Sequence, residues 1–215
     1  SAGGEAANVL LVLHVPGDGG NATAISIPRD DYVVLPGCPD GQCHGKIKQA
    51  YGLALDQAAK KLAHSTSKGK TPLIQQERDA GRRAEIATVS QILGGVPIDH
   101  FVEVTMVGFF QVAQVVQPIT VCLKEPTQDS YSGAQFHAGR QQINAAQAVA
   151  FVRQRRDNVH PDLNFTDLDR SRRQQAFIAS LAYQLKATDT LTDPSHLSWT
   201  LDVGKQTVAA DRAMS

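Results

Sequence analysis

The sequence has no excess of charge of either sign, few cysteines and no long apolar run, and each absence excludes a class of protein. Its 21 lysines and arginines balance 21 aspartates and glutamates over 215 residues, so no global field recruits nucleic acid. No apolar run approaches the roughly 18 residues that a membrane-spanning helix needs. The short motifs of nucleotide phosphate loops, dinucleotide sites, serine hydrolases and zinc proteases are also missing.

Three cysteines are too few for a disulfide scaffold, but two of them lie close together. Cys38 and Cys43 enclose Pro-Asp-Gly-Gln, a turn-forming tetrapeptide that can bring two thiols together. We predict a disulfide across this turn, with free thiols as the alternative; His44 alone adds too little for a metal site. A disulfide favours an oxidising, extracytoplasmic location. Cys122, within an apolar run, is predicted to be a buried strand residue.

Strand and helix patterns alternate along a chain of ordinary globular composition, with 42% hydrophobic and 20% charged residues. Apolar runs separated by a Gly- and Asn-rich turn predict a hairpin. The strand predictions cover 8–15, 22–27, 98–105 and 119–123; the helix predictions cover 79–93, 106–116, 143–152 and 167–187; and 64–76 is predicted to be a loop. This alternation predicts an α/β fold, a three-layer α-β-α sandwich with a central, largely mixed sheet. No repeat and no second core is visible, so we predict a single domain over 1–215 rather than two.

Six arginines lie close together late in the chain, and helix geometry separates those that water can reach from those that it cannot. At about 100° per residue, Arg170 and Gln174 continue the apolar stripe of their helix, whereas Arg172 points to the opposite side. Burying an arginine without an anion costs several kcal/mol. The pattern therefore predicts either an internal salt bridge from Arg170 to Asp167 or Asp169, or an anion site.

The anion-site interpretation combines arginines from three places in the sequence. Arg153 and Arg155 share a face if the chain is extended there, and Arg29 follows the apolar run at 22–27. An arginine fork donates two parallel hydrogen bonds to phosphate and keeps its charge at every physiological pH. Several arginines without matching carboxylates favour a pyrophosphate over a single carboxylate. We call Arg29, Arg153, Arg155 and Arg170 the arginine set.

Five spaced segments are typical of a known family. They are SIPRD (26–30), KIKQAYG (46–52), GVPIDHFVEVTMVGF (95–109), AFVRQRRD (150–157) and DLDRSRRQQAFI (167–178). Together they resemble the catalytic domain of the LytR–CpsA–Psr proteins over nearly the whole chain. The resemblance implies a bacterial phosphotransferase on the extracytoplasmic face of the plasma membrane, with an N-terminal anchor outside this chain. Its partners would be a glycan linked to polyprenyl pyrophosphate and the acceptor peptidoglycan. Paired cysteines and many Ala and Val residues suit an actinobacterial member, which makes arabinogalactan the first substrate expected.

The resemblance also implies roles for individual residues. By position, the arginine set and Gln174 would bind the pyrophosphate. A peptidoglycan hydroxyl would attack the glycan-side phosphorus, and polyprenyl phosphate would leave. Arg29, Arg155 and Arg170 would stabilise the charge that develops, and Asp30 would orient Arg29 or accept the proton. We favour the orienting role, because a carboxylate among arginines is a weak base.

One position departs from the family pattern. The resemblance implies Mg²⁺, held in part by an aspartate at about the place of Asn8. A neutral amide is a weaker Mg²⁺ ligand than a carboxylate, so the metal ligands stay unassigned. The alternative function is therefore a non-catalytic module that binds polyprenyl phosphate or another acidic lipid. RNA binding fits poorly, since the net charge is zero and no aromatic platform interleaves the arginines.

Overall fold

A computed structural model describes most of the chain. The described residues are 6–35, 43–63, 73–161, 166–187 and 208–211. The chain forms two compact units, residues 1–99 and 100–215. Within the described ranges, no helix is both long enough and apolar enough to cross a bilayer.

The first unit contains two antiparallel strand pairs and two helices. Its elements are β1 (Leu10–His14), β2 (Thr23–Ile27), β3 (Tyr32–Leu35), β4 (Cys43–Lys46), α1 (Gln49–Ala63) and α2 (Leu73–Ile92). β1 pairs with β2, as the predicted hairpin requires, and β3 pairs with β4. Ile27, Ile47 and Val89 are buried together at the centre of this unit.

The two helices of the first unit show where local patterns fail and where they succeed. The sequence does not predict α1, and it assigns residues 73–76 to a loop, whereas α2 begins at Leu73. Leu73 and Ile74 are exposed and are followed by polar residues. The first turn of α2 therefore shows no apolar residues at helical spacing. The rest of the predicted loop, residues 64–72, lies outside the described residues. The end of α2 is as predicted: Gly94 and Gly95 have φ angles of 75° and 88°, in the left-handed region that favours glycine.

The second unit contains the six arginines between Arg153 and Arg173. Its elements are β5 (Val102–Val104), α3 (Met106–Val116), β6 (Ile119–Leu123), β7 (Thr127–Asp129), β8 (Ala134–Phe136), β9 (Gly139–Ile143), α4 (Ala145–Arg153), α5 (Asp167–Ala187) and β10 (Val208–Ala210). Antiparallel pairs join β5 to β10, β6 to β9 and β7 to β8. The bounds of α3, β6 and α5 are those predicted.

Aromatic packing fixes α4 and α5 in the second unit. Phe151 of α4 meets Phe136 edge-on, with ring centroids 5.4 Å apart, and lies 6.5 Å from Phe177 of α5. At its other end α4 has a capping box, in which Asn144 and Gln147 exchange hydrogen bonds between side chain and backbone. The C-terminal end of α4 is thereby held at a defined place beside α5.

Cys122 corrects one of the predictions. It lies in β6, as predicted, but it is exposed, because side chains alternate along a strand and Ile119, Val121 and Leu123 occupy the buried face. It is the only free cysteine among the residues that the structure describes. Cys38 lies outside those residues, so its disulfide with Cys43 stays a prediction.

Thiol counting tests that disulfide. We expect one reactive thiol per chain in denaturant without reductant, and the same thiol should react in the native protein because Cys122 is exposed. Cys122→Ser should then leave no reactive thiol. Three thiols in protein matured outside the cytoplasm would show that Cys38 and Cys43 are unpaired.

Candidate functional site

Two outward arginines flank a buried glutamine where α4 ends. Arg153 is the last residue of α4, and Gln154 turns the chain into extended backbone with φ −54° and ψ 132°. Arg153, Arg155 and Arg156 are exposed, whereas Gln154 is fully buried. We call residues 153–156 the arginine segment. It presents several positive charges to solvent while its backbone is held from below.

A buried carboxylate is one of the groups that hold this segment. Asp129, at the end of β7, is 2% exposed. Its Oδ2 accepts a hydrogen bond from the backbone N–H of Arg155 at 3.1 Å, and its Oδ1 accepts one from Tyr131 at 2.9 Å. Burial alone would raise the pKa of Asp129, but these and other hydrogen bonds lower it below the usual value. Asp129 therefore stays ionised and fixes the backbone at Arg155.

Gln154 is the second anchor of the arginine segment. Its amide nitrogen donates to the hydroxyl of Thr127 and, at 2.8 Å, to the carbonyl oxygen of Arg156. Its amide oxygen accepts a hydrogen bond from Arg173 of α5. Both ends of the amide are thus used inside the protein, which is what a fully buried glutamine requires. Gln154 ties β7, the arginine segment and α5 together.

Arg173 is largely withdrawn from solvent. Its guanidinium lies 5.3 Å from the centroid of the Phe151 ring, besides its bond to Gln154. Burial lowers the pKa of Arg173, and the charges of Asp157 and Asp169 oppose that shift. An arginine keeps its proton at neutral pH all the same, so Arg173 brings a permanent positive charge beneath the arginine segment.

The exposure of the side chains along α5 matches the prediction made from helix geometry. Arg170 and Gln174 are buried, at 6% and 9% exposed. Gln174 donates through its amide nitrogen to the carbonyl oxygen of Val152, one residue before the arginine segment, at 3.2 Å. Arg172, on the other side, has a side chain 77% exposed. α5 therefore turns Gln174 towards the end of α4, and Arg170 is buried one helical turn before it.

The alternative to an anion site was an internal salt bridge from Arg170 to Asp167 or Asp169. Asp169 binds elsewhere: its carboxylate accepts from the backbone and hydroxyl of Thr166 and from Arg172, whose Nη1 lies at 3.3 Å. The Thr166 bonds, opposed by burial and aided by Arg172, lower the pKa of Asp169. The side chain of Asp167 lies outside the described residues, so that half of the alternative stays open.

In the first unit, the predicted charged residues follow β2 directly because a tight turn begins there. The backbone N–H of Asp31 donates to the carbonyl of Pro28 at 3.0 Å, and that of Lys48 donates to the carbonyl of Arg29 at 3.2 Å. The turn thus brackets Arg29 and Asp30 against the chain after β4. The Arg29 side chain is 11% exposed, and its Nη1 donates to Asn8 Oδ1 at 2.7 Å.

Two lysines that the sequence reasoning did not assign to the site surround Asp30. Its Oδ1 lies 2.7 Å from Lys48 Nζ and 3.1 Å from Lys46 Nζ, whereas its Oδ2 is 3.7 Å from Arg29 Nε. The hydrogen bonds from Lys48 and then Lys46 lower the pKa of Asp30 to about 2. Such a carboxylate is a poor proton acceptor, which favours the orienting role. The sequence Lys46-Ile47-Lys48 could have indicated this pair of lysines, because alternate residues of an extended chain lie on the same side.

Comparison with known proteins decides the family. The family model described as "LytR_cpsA_psr family" matches residues 2–214. The chain belongs to the LytR–CpsA–Psr family. Its relatives include the cell wall biosynthesis protein LcpA of Corynebacterium glutamicum, 37% identical over 95% of this chain and 38% of LcpA. They also include the polyisoprenyl-teichoic acid–peptidoglycan teichoic acid transferase TagU of Bacillus subtilis, 27% identical over 76% of this chain and 43% of TagU.

A solved structure shows the fold of this LytR–CpsA–Psr chain. The crystal structure of B. subtilis TagV superposes with a TM-score of 0.66 and 22% identity, covering 96% of this chain and 66% of that chain. The likeness confirms the α/β fold predicted from the sequence. The chain spans about two fifths of the length of the relatives LcpA and TagU.

The Mg²⁺ that the family resemblance implies does not fit the residues of this LytR–CpsA–Psr domain that are described. Asn8 Oδ1 already accepts from a guanidinium, and Asn8 Nδ2 donates to the carbonyl of Ala6 at 3.1 Å. Within the described ranges, no three His, Cys, Asp or Glu side chains come together as metal ligands. A positively charged donor on the oxygen that would bind the cation opposes a metal there. We derive no step through a metal.

The Asp30 carboxylate makes a pH-dependent contribution to stability. A folded-state pKa of about 2, below the ordinary value, stabilises the fold above the unfolded-state pKa, and this contribution is lost as pH falls through about 2. Asp30→Asn should therefore flatten the fall in the free energy of unfolding between about pH 4 and pH 2, as denaturant titrations at each pH would measure. Asp18→Asn, in the exposed turn after β1, is the control. Identical pH profiles for wild type and Asp30→Asn would contradict the assignment.

Proposed function

We propose that this domain is a phosphotransferase that moves a glycan polymer from a polyprenyl-pyrophosphate carrier to peptidoglycan. The observation that carries the proposal is the arginine segment: exposed arginines whose backbone is fixed by Asp129 and Gln154. A fixed backbone reduces the ordering that these arginines need when their guanidinium groups bind a pyrophosphate. The name of the relative TagU describes transfer from a polyisoprenyl carrier to peptidoglycan.

The proposed reaction is a displacement at phosphorus. A peptidoglycan hydroxyl attacks the glycan-side phosphorus, the bond from that phosphorus to the bridging oxygen breaks, and polyprenyl phosphate leaves with the electron pair. The hydroxyl proton passes to the leaving phosphate or to water. Arg153 and Arg155 donate to the phosphate oxygens, and Arg170 adds charge from α5. In phosphoryl transfer such fixed charges supply most of the catalysis.

Gln174 and Arg29 are two further predicted participants. Gln174 is bonded to the end of α4, so we assign it to aligning α5 with the arginine segment as well as to the pyrophosphate. Arg29, oriented by Asp30, stays a predicted ligand of the pyrophosphate. Substitution of either residue should reduce lipid binding if these roles hold.

The finer parts of the proposal concern location and substrate. We place the domain on the extracytoplasmic face of the plasma membrane, carried by an anchor outside this chain, where a Cys38–Cys43 disulfide would persist. We propose arabinogalactan as the glycan, because the paired cysteines and the many Ala and Val residues suit an actinobacterial member.

The second candidate function is a module that binds polyprenyl phosphate or another acidic lipid without turnover. The observation that favours it is Asn8, a neutral amide whose oxygen is already bonded to Arg29. Retained arginines do not separate the two functions, because both need an anion site.

One experiment separates the two candidates. The protein is incubated with a glycan-bearing polyprenyl pyrophosphate and peptidoglycan, with and without Mg²⁺, and glycan bound covalently to peptidoglycan is measured. Phosphodiester-linked glycan supports the transferase. Lipid that binds tightly while no glycan is transferred under either condition supports the binding module. Absence of both lipid binding and transfer contradicts both proposals.

A further inference from the structure

An exposed aromatic side chain lies against the arginine segment. Tyr131, in the turn between β7 and β8, is 80% exposed, and the guanidinium carbon of Arg156 lies 3.8 Å from the centroid of its ring. This cation–π contact covers part of the ring and leaves most of it in solvent. Single exposed tyrosines are common on protein surfaces, so exposure alone carries no assignment. The position and the restraint of this ring distinguish it.

The backbone on both sides of the ring is fixed. Tyr131 N–H donates to Asp129 Oδ1 at 2.9 Å, and Ser130 N–H donates to Asn158 Oδ1 at 3.1 Å. Gly133 closes the turn with a φ of 74°. The backbone that carries the ring is therefore fixed, the Arg156 contact restrains the ring itself, and a tyrosine has only two side-chain torsions to restrict on binding.

One carboxylate joins this turn to the arginine segment. Asp129 binds Tyr131 N–H through one oxygen and Arg155 N–H through the other, at 2.9 Å and 3.1 Å. The backbones of Tyr131 and of Arg155, the predicted phosphate-binding arginine, are thus joined through a single buried group. A ligand that contacts both residues would meet two side chains that start from fixed backbone positions.

The substrate class supplies the reason for an aromatic surface at this place. In a carrier-linked glycan the first sugar is covalently attached to the pyrophosphate, so any sugar subsite must adjoin the groups that bind the phosphates. Aromatic faces pack against the C–H face of a pyranose through dispersion and through their negative quadrupole. The guanidinium of Arg156, which lies against the ring, offers hydrogen bonds to sugar hydroxyls.

We propose that Tyr131 and Arg156 form a saccharide-binding platform for the sugar next to the pyrophosphate of the carrier-linked glycan. The inference rests on the proposed function and assigns the part of the substrate that the arginines do not recognise. Arg156 keeps the ring in place and binds sugar hydroxyls, while Tyr131 supplies the stacking surface.

The test compares two lipids on the same protein. Binding of a polyprenyl-pyrophosphate disaccharide built of pyranoses and of the bare polyprenyl pyrophosphate is measured by calorimetry. Tyr131→Ala should weaken binding of the disaccharide lipid by about fivefold to tenfold and change binding of the bare lipid by less than about twofold. Tyr131→Phe, which keeps the ring, should restore wild-type affinity. Tyr183→Ala removes a tyrosine of α5 that is 76% exposed and should alter neither affinity.

The outcomes separate this inference from the function on which it rests. An equal loss for both lipids, or no loss for the disaccharide lipid, overturns the platform while leaving the transferase proposal intact. If wild type binds neither lipid, the proposed function fails and the soluble disaccharide is titrated alone. Saturable disaccharide binding that Tyr131→Ala abolishes then supports the platform; absence of disaccharide binding to wild type overturns it.

Discussion

Replacing Asp129 with alanine is expected to lower the free energy of unfolding by about 3 kcal/mol, because two backbone N–H groups lose a charged acceptor in a buried place. Asp129 is 2% exposed, and it accepts from both Arg155 and Tyr131. Water cannot replace the carboxylate without opening the turn. Denaturant unfolding of wild type and variant measures the difference.

Two further variants show what that loss means. Asp129→Asn keeps the shape but replaces one acceptor oxygen by a donor, so we expect an intermediate loss of stability. Glu125→Ala removes a carboxylate that is 65% exposed and 3.8 Å from His160, and exposed pairs contribute little. If Asp129→Ala were as stable as Glu125→Ala, the carboxylate would not anchor the arginine segment.

Arg155→Ala should have the largest effect on ligand binding. We expect affinity for polyprenyl pyrophosphate to fall by about 2 kcal/mol, roughly 30-fold, the scale of charge-assisted hydrogen bonds to phosphate. The fold should be unaffected, because Asp129 holds this residue through the backbone N–H, which alanine retains. Loss of one like charge from the segment should leave the ligand-free protein as stable or slightly more stable. Calorimetric titration and denaturant unfolding measure the two quantities.

The control for Arg155→Ala is Arg172→Ala. Arg172 is 77% exposed, lies on the opposite side of α5 and binds Asp169, so its removal should hardly change lipid affinity. Equal losses of affinity at both positions would mean that the arginines act only through overall charge. Unfolding of Arg155→Ala without loss of affinity would mean that Arg155 is structural.

Prediction from the sequence succeeded where a single helix has apolar residues repeated at helical spacing. Helices α3 and α5 have many apolar residues at helical spacing, and their bounds match the prediction. The wheel of α5 also separated buried Arg170 and Gln174 from exposed Arg172, since the angle between side chains on one helix depends only on their spacing.

The anchors beneath the arginine segment could not be read in the same way. Asp129 and Arg155 are 26 positions apart, and β7, which ends at Asp129, has only three residues. A strand that short shows no alternation, and an acidic residue in a polar stretch resembles a surface loop. The link exists only after β7 and the end of α4 meet in the fold.

Asp30 shows an intermediate case. Its neighbour Arg29 was the predicted partner, but Lys46 and Lys48 bind its carboxylate at shorter distances. Those lysines lie 16 and 18 positions later, after β4 returns beside the turn at Pro28. Proximity in sequence pointed to Arg29. The pairing of β3 with β4 brings in the two lysines, which bind Asp30 at shorter distances.

The most direct measurement of the central claim is a crystal structure of this domain with polyprenyl pyrophosphate bound. The account predicts phosphate oxygens at about 3 Å from the guanidinium nitrogens of Arg155 and Arg153, with the Arg170 side chain turned towards them. It also predicts that the Asp129 bonds to Arg155 and Tyr131 persist in the complex. A head group bound away from residues 153–156 and 170, with the arginine segment still facing solvent, would contradict it.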